Sequence, residues 1–115
     1  MRERESERSV VAAAEAPSLD TVFDVLSDGR RRRTLYYLHD AEDGVATISD
    51  LADWVTLLED TSGRDAVLTS LRHVHVPKLV DAGVAEYDAR SGTVRYWAPP
   101  ALEEWLEHAY HKERP

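Results

Sequence analysis

The side chains best placed for chemistry lie on one stretch past the middle of the sequence. Arg64, Thr69, Ser70, Arg72 and His73 share a segment whose apolar residues, Val67, Leu68, Leu71, Leu79 and Ala82, recur at helical spacing. On a helical wheel Thr69, His73 and Val76 stand opposite that stripe, flanked by Ser70 and Arg72. Hydroxyl, imidazole and guanidinium groups on one exposed face can hydrogen-bond base edges or phosphate oxygens. The same face would serve equally as ordinary solvated surface. Arg90 and Arg95 sit on a candidate hairpin downstream, where they could meet phosphate or a minor groove. The densest basic cluster, Arg30 to Arg33, opens a helix. It reads either as a phosphate contact or, preferably, as surface charge offset by Asp24, Asp28 and Asp40.

Other chemistries find less support. Of the five histidines, His108 and His111 would share one helical face, with Glu104 a turn earlier. His73 and His75 are two apart and diverge on a helix. A solvated or structural role is the preferred reading, so neither a metal site nor a cofactor is expected. The sequence has no glycine-rich phosphate loop, no Gly-x-Ser-x-Gly elbow and no His-Glu-x-x-His. It reads as a non-enzyme.

The elements that must position these residues fit one domain of 115 residues without cysteine. No apolar run approaches the roughly 18 residues of a membrane span. The charged start, Met1 to Arg8, lacks the apolar core of a signal peptide. The expected location is the cytoplasm, with no membrane partner. Lys+Arg number 14 against 22 Asp+Glu, a net charge of −8, and Lys78 and Lys112 are the only lysines. An acidic, lysine-poor surface reads as adaptation to molar salt, where screening over about 3 Å mutes self-repulsion.

Residues 1–17 read as a flexible or helical tail. Ser18 can cap a first helix with the stripe Leu19, Val22, Phe23 and Leu26, and Asp28 a second with Leu35 and Leu38 inside and Tyr36 and Tyr37 on its flanks. Val45 to Ile48 suggests a short strand. Thr47 with Asp50, and Ser62 with Asp65, fit capping boxes for a third and a fourth helix. In the third, Ile48, Leu51, Ala52 and Val55 face one way, and Trp54, Leu57 and Leu58 point partly elsewhere. Pro77 predicts a kink or break near Val76. Gly83 supplies a left-handed cap. Val84–Asp88 and Thr93–Trp97 flank a four-residue turn and read as a two-stranded hairpin. Pro99 and Pro100 start a last helix with the stripe Leu102, Trp105, Leu106 and Ala109. The order is α-α-β-α-α-β-β-α, mainly helical with a small hairpin: a winged helix-turn-helix over residues 18–98 and a terminal helix over 99–115.

Three stretches carry a resemblance. Val22 to Leu35 resembles the opening of ArsR-like winged-helix regulators, and Thr47 to Ala52 their first helix-turn-helix element. Leu71 to Val84 resembles the end of their recognition helix and the start of their wing. The His75-Val76-Pro77-Lys78-Leu79 run, with the acidic surface, looks closest to a haloarchaeal branch mostly of unknown function. The resemblance spans about Leu19 to Trp97. It implies a transcription regulator that binds double-stranded DNA as a homodimer, with the fourth helix in the major groove. The apolar face Leu102, Trp105, Leu106, Ala109 and Tyr110 would then pack on the first helix, form the dimer seam, or do both. Metal-sensing relatives pair a terminal His-x-x-His with an Asp-x-His, and this chain has no Asp-x-His. The acidic charge and cation-poor face leave a second reading open, a winged-helix protein-interaction module that does not bind DNA.

Overall fold

The computed structural model describes residues 16–60 and 63–114. The expectations for residues 1–15 and for Ser62 fall outside them. The chain is mainly helical, with one small antiparallel sheet.

Helix α1 (Leu19–Leu26) starts where Ser18 Oγ accepts the Thr21 N–H at 3.1 Å. It ends at Ser27, and α2 (Gly29–Asp40) begins at once, because Asp28 Oδ1 accepts the Arg30 and Arg31 N–H groups at 2.8 and 3.1 Å. Arginines in the first turn of α2 oppose that helix's dipole but lie beside the C-terminus of α1, where cations are favoured. Arg31 Nε donates to Val25 O and its Nη2 to Asp24 O, both at 2.9 Å, and Arg32 donates to Leu26 O. The arginine run therefore closes the α1–α2 corner.

A short turn, Glu42–Gly44, leads into β1 (Val45–Thr47). Gly44 has φ +66°, and a Cβ there would stand 2.8 Å from the Tyr96 carbonyl oxygen, so the corner takes only glycine comfortably. Thr47 Oγ1 accepts the Asp50 N–H at 3.0 Å and starts α3 (Ile48–Glu59). That helix buries Ile48, Leu51, Ala52 and Val55, as their spacing predicts. It ends on Asp60 in the left-handed conformation.

The next helix is one rod in three pieces: α4 (Arg64–Ser70), a π-helical turn (Leu71–His75) and α5 (Val76–Asp81). Its N-cap is Gly63, without a side-chain cap. The kink or break expected near Val76 corresponds to that π-turn, which interrupts the α-helical ladder just before Val76 and Pro77. The turn absorbs the proline's missing N–H, and Pro77 sits in the first turn of α5, where proline is tolerated.

Gly83, at φ +77°, ends the rod, and the chain returns as β2 (Ala85–Asp88) and β3 (Thr93–Tyr96). The sheet has the order β1-β3-β2, with Ala46 opposite Val94 and Tyr87 opposite Val94 on the other side. The two-stranded hairpin expected from the pattern is thus a three-stranded sheet, because β1 adds to its edge. The last helix, α6 (Pro100–Glu113), lies across α1 and α2.

One core unites these elements. Leu102 and Leu106 of α6 are fully buried in it, each contributing about 2–3 kcal/mol. In α1 the buried residues are Val22 and Val25, while Leu19 and Phe23 are 58% and 46% exposed. The expected stripe of α1 is therefore rotated by about one residue. Tyr36, expected on a flank, is buried. Its hydroxyl donates to Glu113 at 2.6 Å, and Arg32 adds two hydrogen bonds at 2.9 Å. These bonds, those of Arg32 first, hold the Glu113 carboxyl down at about 2 and clamp the last turn of α6 to α2. No described helix is long and apolar enough to cross a membrane.

Candidate nucleic-acid interface

The rod from α4 to α5 follows α3 in the chain and packs against it. Its buried side carries Val67, Leu71, His75, Val76 and Leu79. Thr69, Arg72, His73 and Val74 are exposed, and Ser70 is half-buried. Four of the expected contact residues therefore share the outer part of the rod, two of them flanking the π-turn's first residue. Val76, expected on that face, is fully buried, and the apolar group that faces out is Val74, 53% exposed.

The cations sort into two groups. Most are engaged within the fold. Arg30 forms a two-bond pair with Glu59 at 2.6 and 2.8 Å, and Arg33 stands 3.6 Å from the same carboxylate. The Arg30 hydrogen bonds hold the Glu59 carboxyl below its ordinary value. The ion-pair partners are Glu59 and Glu113 rather than the expected Asp24, Asp28 and Asp40, which the sequence could not show because both lie far along the chain. Arg64 donates to Asp53 and, at 2.7 Å, to Ser49 Oγ, so it fastens α4 to α3. Lys78 meets Asp24 at 2.6 Å. Arg95 lies 3.5 Å from Glu86 and 5.9 Å from the Trp97 ring centre. Arg72 and Arg90 differ: neither makes an ion pair among the described residues. Arg90 is exposed in the hairpin turn, where its N–H is held by Asp88 Oδ1 at 2.9 Å.

His75 is a functional-looking residue that turns inward. Its Nδ1 is 3.3 Å from Arg31 Nη1, and its Nε2 is 3.9 Å from Asp28. Since a guanidinium only donates, Nδ1 is the acceptor and the proton sits on Nε2, facing the carboxylate. Burial lowers the imidazole pKa; Asp28 opposes the shift and Arg31 adds to it. His75 is a joint between the rod and the α1–α2 corner.

The expected seam residues divide in the same way. Leu102 and Leu106 are used up inside the fold, and Ala109 is half-buried. Trp105 and Tyr110 remain 40% and 44% exposed. Phe23 packs edge-on against Trp105 with ring centres 5.1 Å apart, and Leu19 is exposed on the same helix. The apolar surface left over is therefore shared by α1 and α6. In α3, Trp54 packs edge-on against Tyr37 at 5.6 Å, whereas Leu57 is 75% exposed.

Residues 23–95 match a domain of unknown function, DUF7344. No curated protein and no solved structure matches the chain. The match covers more than half the sequence, from Phe23 in α1 to Arg95 in β3, and includes the whole rod and all of the hairpin but Tyr96.

Proposed function

Taking as premise that the chain belongs to the DUF7344 family, we propose that it is a winged-helix DNA-binding transcription regulator acting in the cytoplasm as a homodimer. In this reading α3 and the α4–α5 rod are the helix-turn-helix, the rod enters the major groove, and β2–β3 is the wing. The observation that carries it is the outer face of the rod. Thr69, Arg72, His73 and Val74 offer a hydroxyl, a fork of donors, an imidazole and a methyl-bearing surface. Those groups suit base edges, phosphate and the thymine methyl.

The charge distribution shapes how such a protein would bind. With the other arginines of the corner and the rod engaged, Arg72 and Arg90 are the cations this reading assigns to phosphate. Each contact releases counterions worth a slope of roughly −0.9 in log K against log salt. The reading thus gives a slope of about −2 per protomer, shallow for a DNA-binding protein. A chain of net charge −8 with so shallow a slope would retain its site in the molar salt suggested by its composition. The apolar surface Leu19, Phe23 and Trp105 supports the dimer, because a two-fold repeat of α1 and α6 would cover it.

The test is retention of fragmented genomic DNA from the source organism by the purified chain, at low and at molar KCl. Enrichment of a few promoter fragments is expected, lost in an Arg72→Ala/His73→Ala variant that stays folded. The chain should sediment as a dimer, and Phe23→Glu should sediment as a monomer. A folded dimer that enriches nothing at either salt overturns the reading. It would favour the protein-interaction module, for which the exposed Leu57 beside Trp54 is the supporting observation.

A further inference from the structure

Away from this interface, α2 and α6 bring together metal-ligating side chains that the proposed function does not use. Glu103 and Glu107 stand one turn apart on α6, and His39, in the last turn of α2, faces both. His39 Nδ1 is 2.9 Å from Glu103 Oε2, and its Nε2 is 3.9 Å from Glu107 Oε2. One ligand atom from each of the three residues lies within 4.8 Å of the other two.

The two separations have different meanings. At 2.9 Å, Nδ1 is at hydrogen-bond distance from Glu103. The same carboxylate oxygen accepts the Tyr96 hydroxyl at 2.7 Å, so Glu103 is held from the sheet side and is suited to accept the Nδ1 proton. That tautomer leaves the lone pair on Nε2, the nitrogen nearer Glu107. At 3.9 Å the Nε2 and Glu107 oxygen are too far apart for a hydrogen bond. They are near the spacing of two ligands on one ion, since bonds of about 2.1 Å at a tetrahedral angle set ligand atoms roughly 3.4 Å apart. Glu107, with a side chain 60% exposed, is free to close the difference by rotation.

A cavity of about 260 Å³ adjoins the group, and His39, Glu107 and His111 all line it. His111 lies one turn beyond Glu107 on α6, so it follows Glu107 on the same face. We propose that His39 and Glu107, joined by His111, bind a divalent transition-metal ion of the zinc class, with Glu103 as the positioning residue that fixes the imidazole tautomer. Two imidazoles and a carboxylate suit zinc and its neighbours in the series better than calcium or magnesium, which take oxygen ligands. A carboxylate behind a ligating histidine is the usual support in such sites. The donor set departs from the His108-x-x-His111 pair weighed from the sequence. His108 stands beside the Trp105 ring at 6.1 Å and has no part in it.

The test is titration of the full-length chain with zinc chloride, by calorimetry and by competition with a chromophoric chelator, at neutral pH. One ion per chain with micromolar or tighter affinity is expected. Glu107→Ala, an exposed position that leaves the core intact, and His39→Ala should each abolish that binding. Glu103→Gln should weaken it by about 10–100-fold while keeping one ion per chain. His111→Ala should weaken it, and His108→Ala should leave it unchanged. Affinity in the millimolar range, binding indifferent to Glu107→Ala, or binding lost with His108→Ala would overturn the proposal.

Discussion

Replacing Arg31 with Met separates the arginine run's part in the fold from any part in an interface. Arg31 is only 7% exposed, and its guanidinium donates to the Val25 and Asp24 carbonyls at the end of α1. Methionine keeps much of the apolar stem and removes both donors, along with the longer bond from Nη1 to His75 Nδ1. A hydrogen bond from a charged donor contributes about 1.5–3 kcal/mol net. Water can replace the donor at Asp24 O, which is partly exposed, but much less readily at Val25 O, which is buried. Relief of the guanidinium's own desolvation offsets part of the loss. The net cost is then about 3 kcal/mol. At roughly 4–8 °C per kcal/mol for a domain of this size, the Tm should fall by about 15 °C. Urea unfolding followed by circular dichroism gives the free energy, and DNA retention measured well below the transition gives the second readout. A variant within about 1 kcal/mol of the parent would refute the assignment of Arg31 to the α1–α2 corner. So would one that keeps full stability and loses DNA.

Two further perturbations probe other joints. The folded His75 imidazole titrates below its ordinary 6.5, so the unfolded chain takes up the proton first. Its contribution is intact above that value and is lost as pH falls through 6.5 toward the folded pKa. His75→Gln should flatten this limb, seen as a smaller difference in urea midpoint between about pH 7.5 and about pH 5.5; an unchanged difference would remove His75 as the cause. Gly44→Ala forces a side chain into a left-handed conformation and against the Tyr96 carbonyl. It should cost about 2–3 kcal/mol, and an unaltered melting curve would contradict that close approach.

The sequence revealed elements better than faces. Caps at Ser18, Asp28 and Thr47 were legible because a capping side chain acts within three residues of itself. The stripe of α3 was legible for a similar reason, since an uninterrupted helix keeps one phase. Val76 was misplaced because a wheel drawn with a constant turn from Val67 onward passes through the π-turn without allowing for it. Leu19 and Phe23 were misplaced because α1 is short, and a choice between neighbouring stripes depends on what lies across from it, here α6. The partners of the arginine run, Glu59 and Glu113, and the approach of His39 to Glu103 and Glu107 depend on elements distant in sequence. No local periodicity encodes them.

The π-turn also bears on how this chain can change over generations. A π-turn is what a helix forms when it carries one residue more than its hydrogen-bond ladder needs. Here the surplus lies between the half of the rod that presents Thr69 and the half that seats Val76 and Leu79 in the core. Losing that residue would return the rod to a plain α-helix in which Val76 and Leu79 follow Leu71 at i+4 and i+7, so both halves would keep their buried faces in the core. A single codon deletion among Arg72, His73 and Val74, all exposed, would therefore shorten the outward set of side chains while leaving the packed face in register. The same fold could then present different groups at that surface through changes in length as well as in residue type.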